Sequence, residues 1–413
     1  MVDDRRRLSR CPAAAWCVVA VLLAVAAGCG GERSAADTTT RPERRSPGVA
    51  VEVGESVAPP TPVGPAAGSP LDQLDRDAGI SVELSDGSIM WLFGDTAITE
   101  PDGGLRFFVI GTAAWAPAGQ PTVTQDHMDP SGSPVAFATP TADFPGCPAD
   151  IPVSGMWPAS AVTYRVGGLD RIVVWLENIC LGDAARGTGV GMSVAELWYD
   201  PAHPPVGEPV TARILNQRLF PRRGFGLAAT LGDDHDAYVY SCDAPMEGGW
   251  PTEYGPCYVA QVGLEEVHDP SAYRVWSHDG SWQPLIVADP APLELPSAEL
   301  TRRFPAGSVS VVRDPSLGGY VMVYSPWPVR STELEVRVSA SPQGPWSEPS
   351  PVAIEGCQDA VGGTEYNCYA ATAQPAFSEP GLLGVGYYDR AVATAPVRGT
   401  YFVATVPVAL HQG

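Results

Sequence analysis

The sequence contains no lysine. All 25 of its basic residues are arginine, against 47 acidic ones, for a formal charge of −22 over 413 residues. Without a lysine amine there is no Schiff-base chemistry and no phosphate-binding P-loop. The acidic excess excludes nucleic acid as a partner, because such a surface repels a polyphosphate. Cys-x-x-Cys is missing and no histidine stands at ligand spacing from a cysteine pair, which argues against zinc. No Gly-x-Ser-x-Gly elbow is present, which argues against a serine hydrolase of that type. After residue 27 no apolar run is long enough to span a bilayer, and no helix of length is indicated. Charged residues of either sign are only 17%, whereas Gly (44) and Pro (43) are abundant and hydrophobic residues reach 45%. Many turns joining short apolar strands, with enough apolar content for a core, is the composition of an all-β protein.

The N-terminus reads as an address. Arg5, Arg6, Arg7 and Arg10 precede an apolar stretch from about Pro12 to Ala27, which ends Ala26-Ala27-Gly28-Cys29. That is the layout of a secretory signal, and a cysteine after small residues fits a bacterial lipobox, with Ala26 where leucine is usual. Residues 1–28 are therefore expected to be a lipoprotein-type signal peptide and Cys29 the lipidation site. The protein would be exported and lipid-anchored on the outer face of the cell membrane. Removing 1–28 takes away two acids and four arginines and leaves −24. Residues 29–70, rich in Pro, Thr, Gly and Ala without strand or helix periodicity, read as a disordered tether. The folded domain is then expected over 71–413.

Six cysteines remain: Cys147, Cys180, Cys242, Cys257, Cys357 and Cys368. An even number in an exported domain points to disulfides. The most local choice pairs Cys242 with Cys257 and Cys357 with Cys368, leaving Cys147 with Cys180, although six cysteines allow fifteen pairings.

One hairpin recurs five times. A short strand with small residues is followed by a turn and then by a stronger Val/Tyr/Trp strand: 80–84 with 89–93, 161–164 with 172–176, 227–230 with 237–240, 309–312 with 320–324, and 370–373 with 382–387. Small residues suit the crowded axis of a propeller, and an uninterrupted apolar run suits a mid-blade strand buried on both faces. A five-bladed β-propeller is the fold expected. The alternating segment 332–339 reads as a half-exposed outer strand.

The residue before an inner strand and the residue after its hairpin partner emerge at the same end of a blade. Asp77 and Asp95 hold those two places in the first unit, Glu177 the second place in blade two, and Asp389 the second place in blade five. Two neighbouring carboxylates are what glycosidic cleavage needs, one protonated to assist the leaving oxygen and one ionised as base or nucleophile. Trp115, Trp157, Trp327 and Tyr366 lie near blade junctions and are candidates to stack on sugar rings, as Asp389 is to bind substrate; packing between blades is the commoner role for any one such aromatic. Asp233-Asp-His-Asp236 and Ser277-His-Asp-Gly-Ser-Trp282 are explained as turns. No metal or cofactor is expected.

Asp77-Ala-Gly-Ile-Ser-Val82, Asp86-Gly87 and Trp91-Leu-Phe-Gly-Asp-Thr96 resemble the opening of domain-of-unknown-function family 4185. The resemblance continues through Ala237–Tyr240, Cys257–Ala260, Tyr273–Trp276, Ser281-Trp282, Gly307–Val312, Tyr320–Tyr324 and Gly344-Pro-Trp346, roughly Leu71 to Tyr388. It implies a five-bladed propeller similar to the endo-D-arabinanases of glycoside hydrolase family 183, acting on arabinogalactan and lipoarabinomannan, with Asp77 and Asp95 matching its catalytic acids. Two positions depart from the family pattern: Gln261 where arginine is common, and Gln374 where a His-Pro is usual. The expectation is thus a monomeric, lipid-anchored hydrolase of a furanoside-containing cell-wall polysaccharide. The alternative is a non-catalytic cell-envelope lipoprotein that binds glycan or protein.

Overall fold

The computed structural model describes residues 49–69, 71, 74–99, 105–147, 153–181, 187–205, 210–221, 224–232, 235–242, 246–247, 250–251, 255–294, 309–325, 333–353, 368–389 and 400–412. The signal peptide, Cys29 and residues 29–48 of the tether lie outside them. Three short strands come first: β1 (Val49–Val53), β2 (Thr61–Pro62) and β3 (Gly64–Pro65). Blade one holds β4 (Leu74–Arg76), β5 (Ile80–Glu83), β6 (Ile89–Thr99), β7 (Leu105–Ala116) and β8 (Val123–Asp126). Blade two holds β9 (Val153–Val166), β10 (Leu169–Leu181), β11 (Gly187–Tyr199) and β12 (Arg213–Phe220). Blade three is β13 (Ala228–Leu231), β14 (Asp236–Cys242), β17 (Cys257–Gly263), β18 (Arg274–Trp276) and β19 (Trp282–Pro284), with a small hairpin of β15 (Met246–Glu247) and β16 (Trp250–Pro251) inserted. Blade four is β20 (Val309–Asp314), β21 (Gly319–Tyr324), β22 (Glu333–Ser339) and β23 (Ser350–Ala353). Blade five is β24 (Cys368–Ala373), β25 (Leu382–Asp389) and β26 (Thr400–Gln412), completed by β1. The chain is an all-β, five-bladed propeller, and all five hairpins read from the sequence are the two innermost strands of a blade.

The packing explains the pattern. Side chains alternate across a strand, so a strand sandwiched between two blades needs apolar residues at both parities. In β10, Ile172, Val174 and Leu176 pack with Val82, Leu92 and Trp115 of blade one, while Val173 and Trp175 pack with blade three. In β6, Met90 and Leu92 face blade two, while Ile89, Trp91 and Phe93 join Tyr388, Tyr401 and Val403 of blade five. Four second strands place a buried aromatic opposite a smaller inner-strand residue: Trp91 across from Ser81, Trp175 from Ser160, Tyr240 from Ala228, and Tyr324 from Val309. Small residues near the axis make room for rings that fill the wedge between blades. The ring polar tips are satisfied, as where Trp91 Nε1 donates to the Pro121 carbonyl at 2.8 Å.

Two expectations are corrected. Residues 49–65, assigned to the tether by composition, carry strands: β1 pairs antiparallel with β26 from Val49↔Gln412 to Val53↔Val408, and β3 joins β8 of blade one. The folded domain therefore includes β1, and the ring closes by an N-terminal strand completing the C-terminal blade. The segment 332–339 is not half-exposed. β22 is a third strand in which Leu334, Val336 and Val338 are buried, and so is Arg337, whose guanidinium donates to Tyr324 Oη (2.7 Å) and the Ser347 carbonyl (3.0 Å).

Disulfides join Cys147 to Cys180 and Cys242 to Cys257. Cys368 is also disulfide-bonded, while Cys357 lies outside the described residues. The first bridge spans 33 residues and anchors the β8–β9 connection to buried Cys180. From the entropy of closing such a loop, replacing both cysteines by serine should cost on the order of 3–4 kcal/mol. A denaturant titration reads this directly, and an unchanged midpoint would contradict it.

Candidate active site

Strands β4 and β5 both pair with β6, and Asp77 lies at the break between them. Its amide donates to the Asp95 carbonyl (3.2 Å), the Gly94 amide donates to the Asp77 carbonyl (3.0 Å), and the Asp95 amide donates to Asp77 Oδ1 (2.8 Å). The carboxylates predicted to share a rim are therefore side by side. Gly94 permits this: a Cβ there would stand 2.8 Å from Asp77 Oδ1 and 3.1 Å from the Ala78 Cβ. The glycine of Trp-Leu-Phe-Gly-Asp-Thr is thus a steric requirement of the pair. Ala78 has φ +50°, a left-handed conformation that costs a non-glycine residue about 1–2 kcal/mol.

Each acid is held by an aromatic donor from a neighbouring blade. Trp157 Nε1, on β9, donates to Asp95 Oδ1 at 2.6 Å. Blades one and two approach closely enough for this because Gly111 and Gly155 have no side chain; a Cβ on Gly111 would meet the Met156 carbonyl at 2.4 Å. Tyr369 Oη, on β24, donates to Asp77 Oδ2 at 2.6 Å. Its ring lies 4.8 Å from that of Tyr388, whose hydroxyl donates to Asp75 Oδ1 (2.8 Å). Ala370, next to Tyr369, is also left-handed (φ +56°), and the β24–β25 ladder is irregular there. Strained backbone thus flanks both partners of the Asp77–Tyr369 bond, as at many sites where geometry is imposed by surrounding structure.

The donor sets distinguish the acids. Both oxygens of Asp77 accept hydrogen bonds, which favours its ionised form, whereas Asp95 accepts one, leaving Oδ2 to carry a proton. Among the described residues neither acid forms an ion pair. Burial, then the charge of Asp77, then that of Asp75 lift the Asp95 carboxyl well above the usual carboxylate range. Burial also raises Asp77, opposed by the Tyr369 and Asp95 hydrogen bonds. A carboxyl raised on folding contributes stability that is fully present below its unfolded value, about 3.9, and is lost as pH rises through the folded one. Asp95→Asn should therefore raise the melting temperature near pH 7 and flatten its decline above about pH 4. Parallel melting curves for parent and variant across that range would contradict this.

Glu177 is buried on β10, directly across from Trp157, with Gly189 beside it: a Cβ there would stand 2.5 Å from Glu177 Oε1. It thus belongs to the same rim, one strand behind the indole that holds Asp95. Asp389 is buried at the end of β25, next to Tyr388, and strand alternation puts it on the opposite blade face from that tyrosine. Trp115 is not at the site. It pairs with Met90 and packs between blades one and two, five residues along β7 from the Asp95 partner Ile110, about 17 Å at strand rise. Trp327 and Tyr366 lie outside the described residues.

Neither departure from the family pattern touches the acids. Gln374 is buried and clamps blade five to blade one: its Nε2 lies 3.0 Å from the Gly79 carbonyl and 2.9 Å from Tyr401 Oη, while its Oε1 accepts from the Ser81 amide (3.0 Å). Gln261 on β17 donates to Asp236 at the start of β14, within blade three. Sequence reasoning missed Tyr369, Tyr388 and Asp75. Tyr369 stands just ahead of the small-residue run of blade five, across from Tyr388, where nothing in its own segment marks it as the partner of an acid in blade one.

No family model and no curated protein matches the chain. Among solved structures, a provisionally named hydrolase from Bacteroides ovatus ATCC 8483 is similar at 15% identity, covering 80% of this chain and 85% of that one, with a TM-score of 0.56. A GH43_1 enzyme from Xanthomonas citri complexed with xylotriose aligns at 13% identity over 86% and 91% of the two chains (TM-score 0.45). An exo-1,5-α-L-arabinanase from a bovine ruminal metagenomic library aligns at 10% over 80% and 92% (TM-score 0.41). At 15% identity the similarity to the B. ovatus protein is one of fold alone, and that fold is the propeller seen here.

Proposed function

We propose that the protein is an exported, lipid-anchored glycoside hydrolase that cleaves a furanoside-containing cell-wall polysaccharide of the arabinan type. The observation that carries this reading is the Asp77–Asp95 pair, two adjacent, partly exposed carboxylates with unequal donor sets. Asp95, its proton retained by burial and by the neighbouring charge, protonates the departing glycosidic oxygen. Asp77, whose Tyr369 and Asp95 hydrogen bonds oppose the upward pull of burial, is the more readily ionised of the two; it supports the developing oxocarbenium ion and acts as nucleophile or base. Glu177, behind Trp157, tunes Asp95 or replaces Asp77 as the second carboxylate. The sequence resemblance to family 4185 supports the furanoside class, and the signal-like N-terminus supports a site of action in the cell envelope.

The second reading is a non-catalytic glycan-binding lipoprotein. It is favoured by one feature: both Asp77 oxygens are already taken by protein donors. Incubation with a panel of wall polysaccharides, read by chromatography, separates the two. The hydrolase reading expects shortened oligosaccharides from arabinogalactan or lipoarabinomannan. Glycan retained on the protein with no product after long incubation would overturn it.

A further inference from the structure

On the propeller face away from Asp95, blade three carries a polar recess of about 430 Å³, lined by Asp236, Gln261, Gly263, Glu266, Arg274 and Trp282. Its position follows from strand direction. Asp95 and Trp157 meet near the end of β6 and the start of β9, whereas Asp236 opens β14, the strand that runs back towards the Asp95 face. The same far face carries the Ser85–Asp170 contact (2.8 Å) and the Arg171–Glu265 ion pair (2.9 Å), which link the turns of blades one to three. The seven residues of β14 alone put about 20 Å between this recess and the rim.

We propose that this recess is a second, non-catalytic binding site for a neutral sugar ring. Its volume falls in the range of about 300–1,000 Å³ usual for small-molecule sites. The donor and acceptor balance selects the ligand class. A bound anion would face Asp236 and Glu266, and a bound cation would face the Arg274 guanidinium. A neutral polyol uses both, its hydroxyls donating to the carboxylates and accepting from the guanidinium. Trp282 supplies the flat apolar wall that sugar C–H groups need, and it is fixed in place. Its ring lies 5.7 Å from Tyr238 and 5.3 Å from Trp276, and its carbonyl accepts from Arg274 Nη2 at 3.0 Å. Gln261 donates to Asp236 and so orients one acceptor. Such a site would hold a polysaccharide against the domain without entering the cleavage chemistry, and it stands independently of whether Asp77 and Asp95 hydrolyse anything.

The test is affinity electrophoresis of the full chain carrying Asp95→Asn, to prevent digestion, through gels containing soluble arabinogalactan or, as an anionic control, heparin. Retention by arabinogalactan and not by heparin is expected, weakened at least threefold by Glu266→Ala and by Arg274→Ala. Both side chains are exposed, so folding should survive; far-UV circular dichroism checks this, and Glu266→Gln with Arg274→Lys provide milder replacements. In the otherwise unmodified protein, the same changes should leave hydrolysis of a small chromogenic arabinofuranoside unaltered. Absent retention, equal retention on heparin, or retention untouched by both changes would overturn the proposal. Retention that depends on Glu266 and Arg274, without hydrolysis of any substrate, would refute the hydrolase reading and leave this one standing.

Discussion

Asp95→Asn should lower the rate of polysaccharide cleavage by about 10²–10⁴-fold, the usual contribution of a positioned general acid. The loss should shrink sharply on an arabinofuranoside bearing a dinitrophenyl leaving group, which departs without protonation. Asp77→Asn should be as damaging on both substrates, because the second carboxylate is needed whatever leaves. This asymmetry follows from the donor sets: Asp95 has one oxygen bonded to Trp157 and one able to carry a proton, whereas Asp77 has both oxygens supplied with donors. Steady-state kinetics on the two substrates measure it. Equal losses for Asp95→Asn on both would remove its assignment as the acid, and full activity in both variants would remove the pair.

Starting the chain at Gly54, without β1, should be the most destabilising single change to the fold. Five residues pair with β26, and Val51 and Val53 pack on the core between blades four and five. Lost ladder hydrogen bonds and valine burial together amount to on the order of 5 kcal/mol, against a total stability of about 5–15 kcal/mol for a typical domain. The damage should also reach the site. Blade five carries Tyr369 and Tyr388, which hold Asp77 and Asp75, so loosening its outer edge should lower activity even below the new melting temperature. Calorimetry and residual activity of the truncated chain check both parts. A melting point unchanged from the parent would contradict this account of ring closure.

The five hairpins could be read from the sequence because mid-blade strands are apolar at both parities, which no half-exposed strand is, and because short runs rich in Val, Tyr and Trp between Gly and Asp turns separate them from a buried helix. The Asp77–Asp95 adjacency could be read for a topological reason, since the two ends of a hairpin share a rim. The closing strand could not. Val49-Ala-Val-Glu-Val53 is short and sits among Pro- and Gly-rich residues, and its partner begins near residue 400. Trp115 took the packing role rather than the sugar-stacking one because proximity to a blade junction does not say which end of the strand a residue occupies, and register with Met90 puts it at the far end. Arg337 escaped notice because a buried arginine needs partners, here Tyr324 and Ser347, that no local pattern announces. Tyr369 and Trp157 act by orienting acids across blade boundaries, and such contacts depend on how blades pack.

The most direct test is the release of reducing ends from purified arabinogalactan by the intact chain, run beside Asp95→Asn. The account predicts steady release by the parent and a rate at least 100-fold lower in the variant. No release by the parent, or equal release by both, would contradict it.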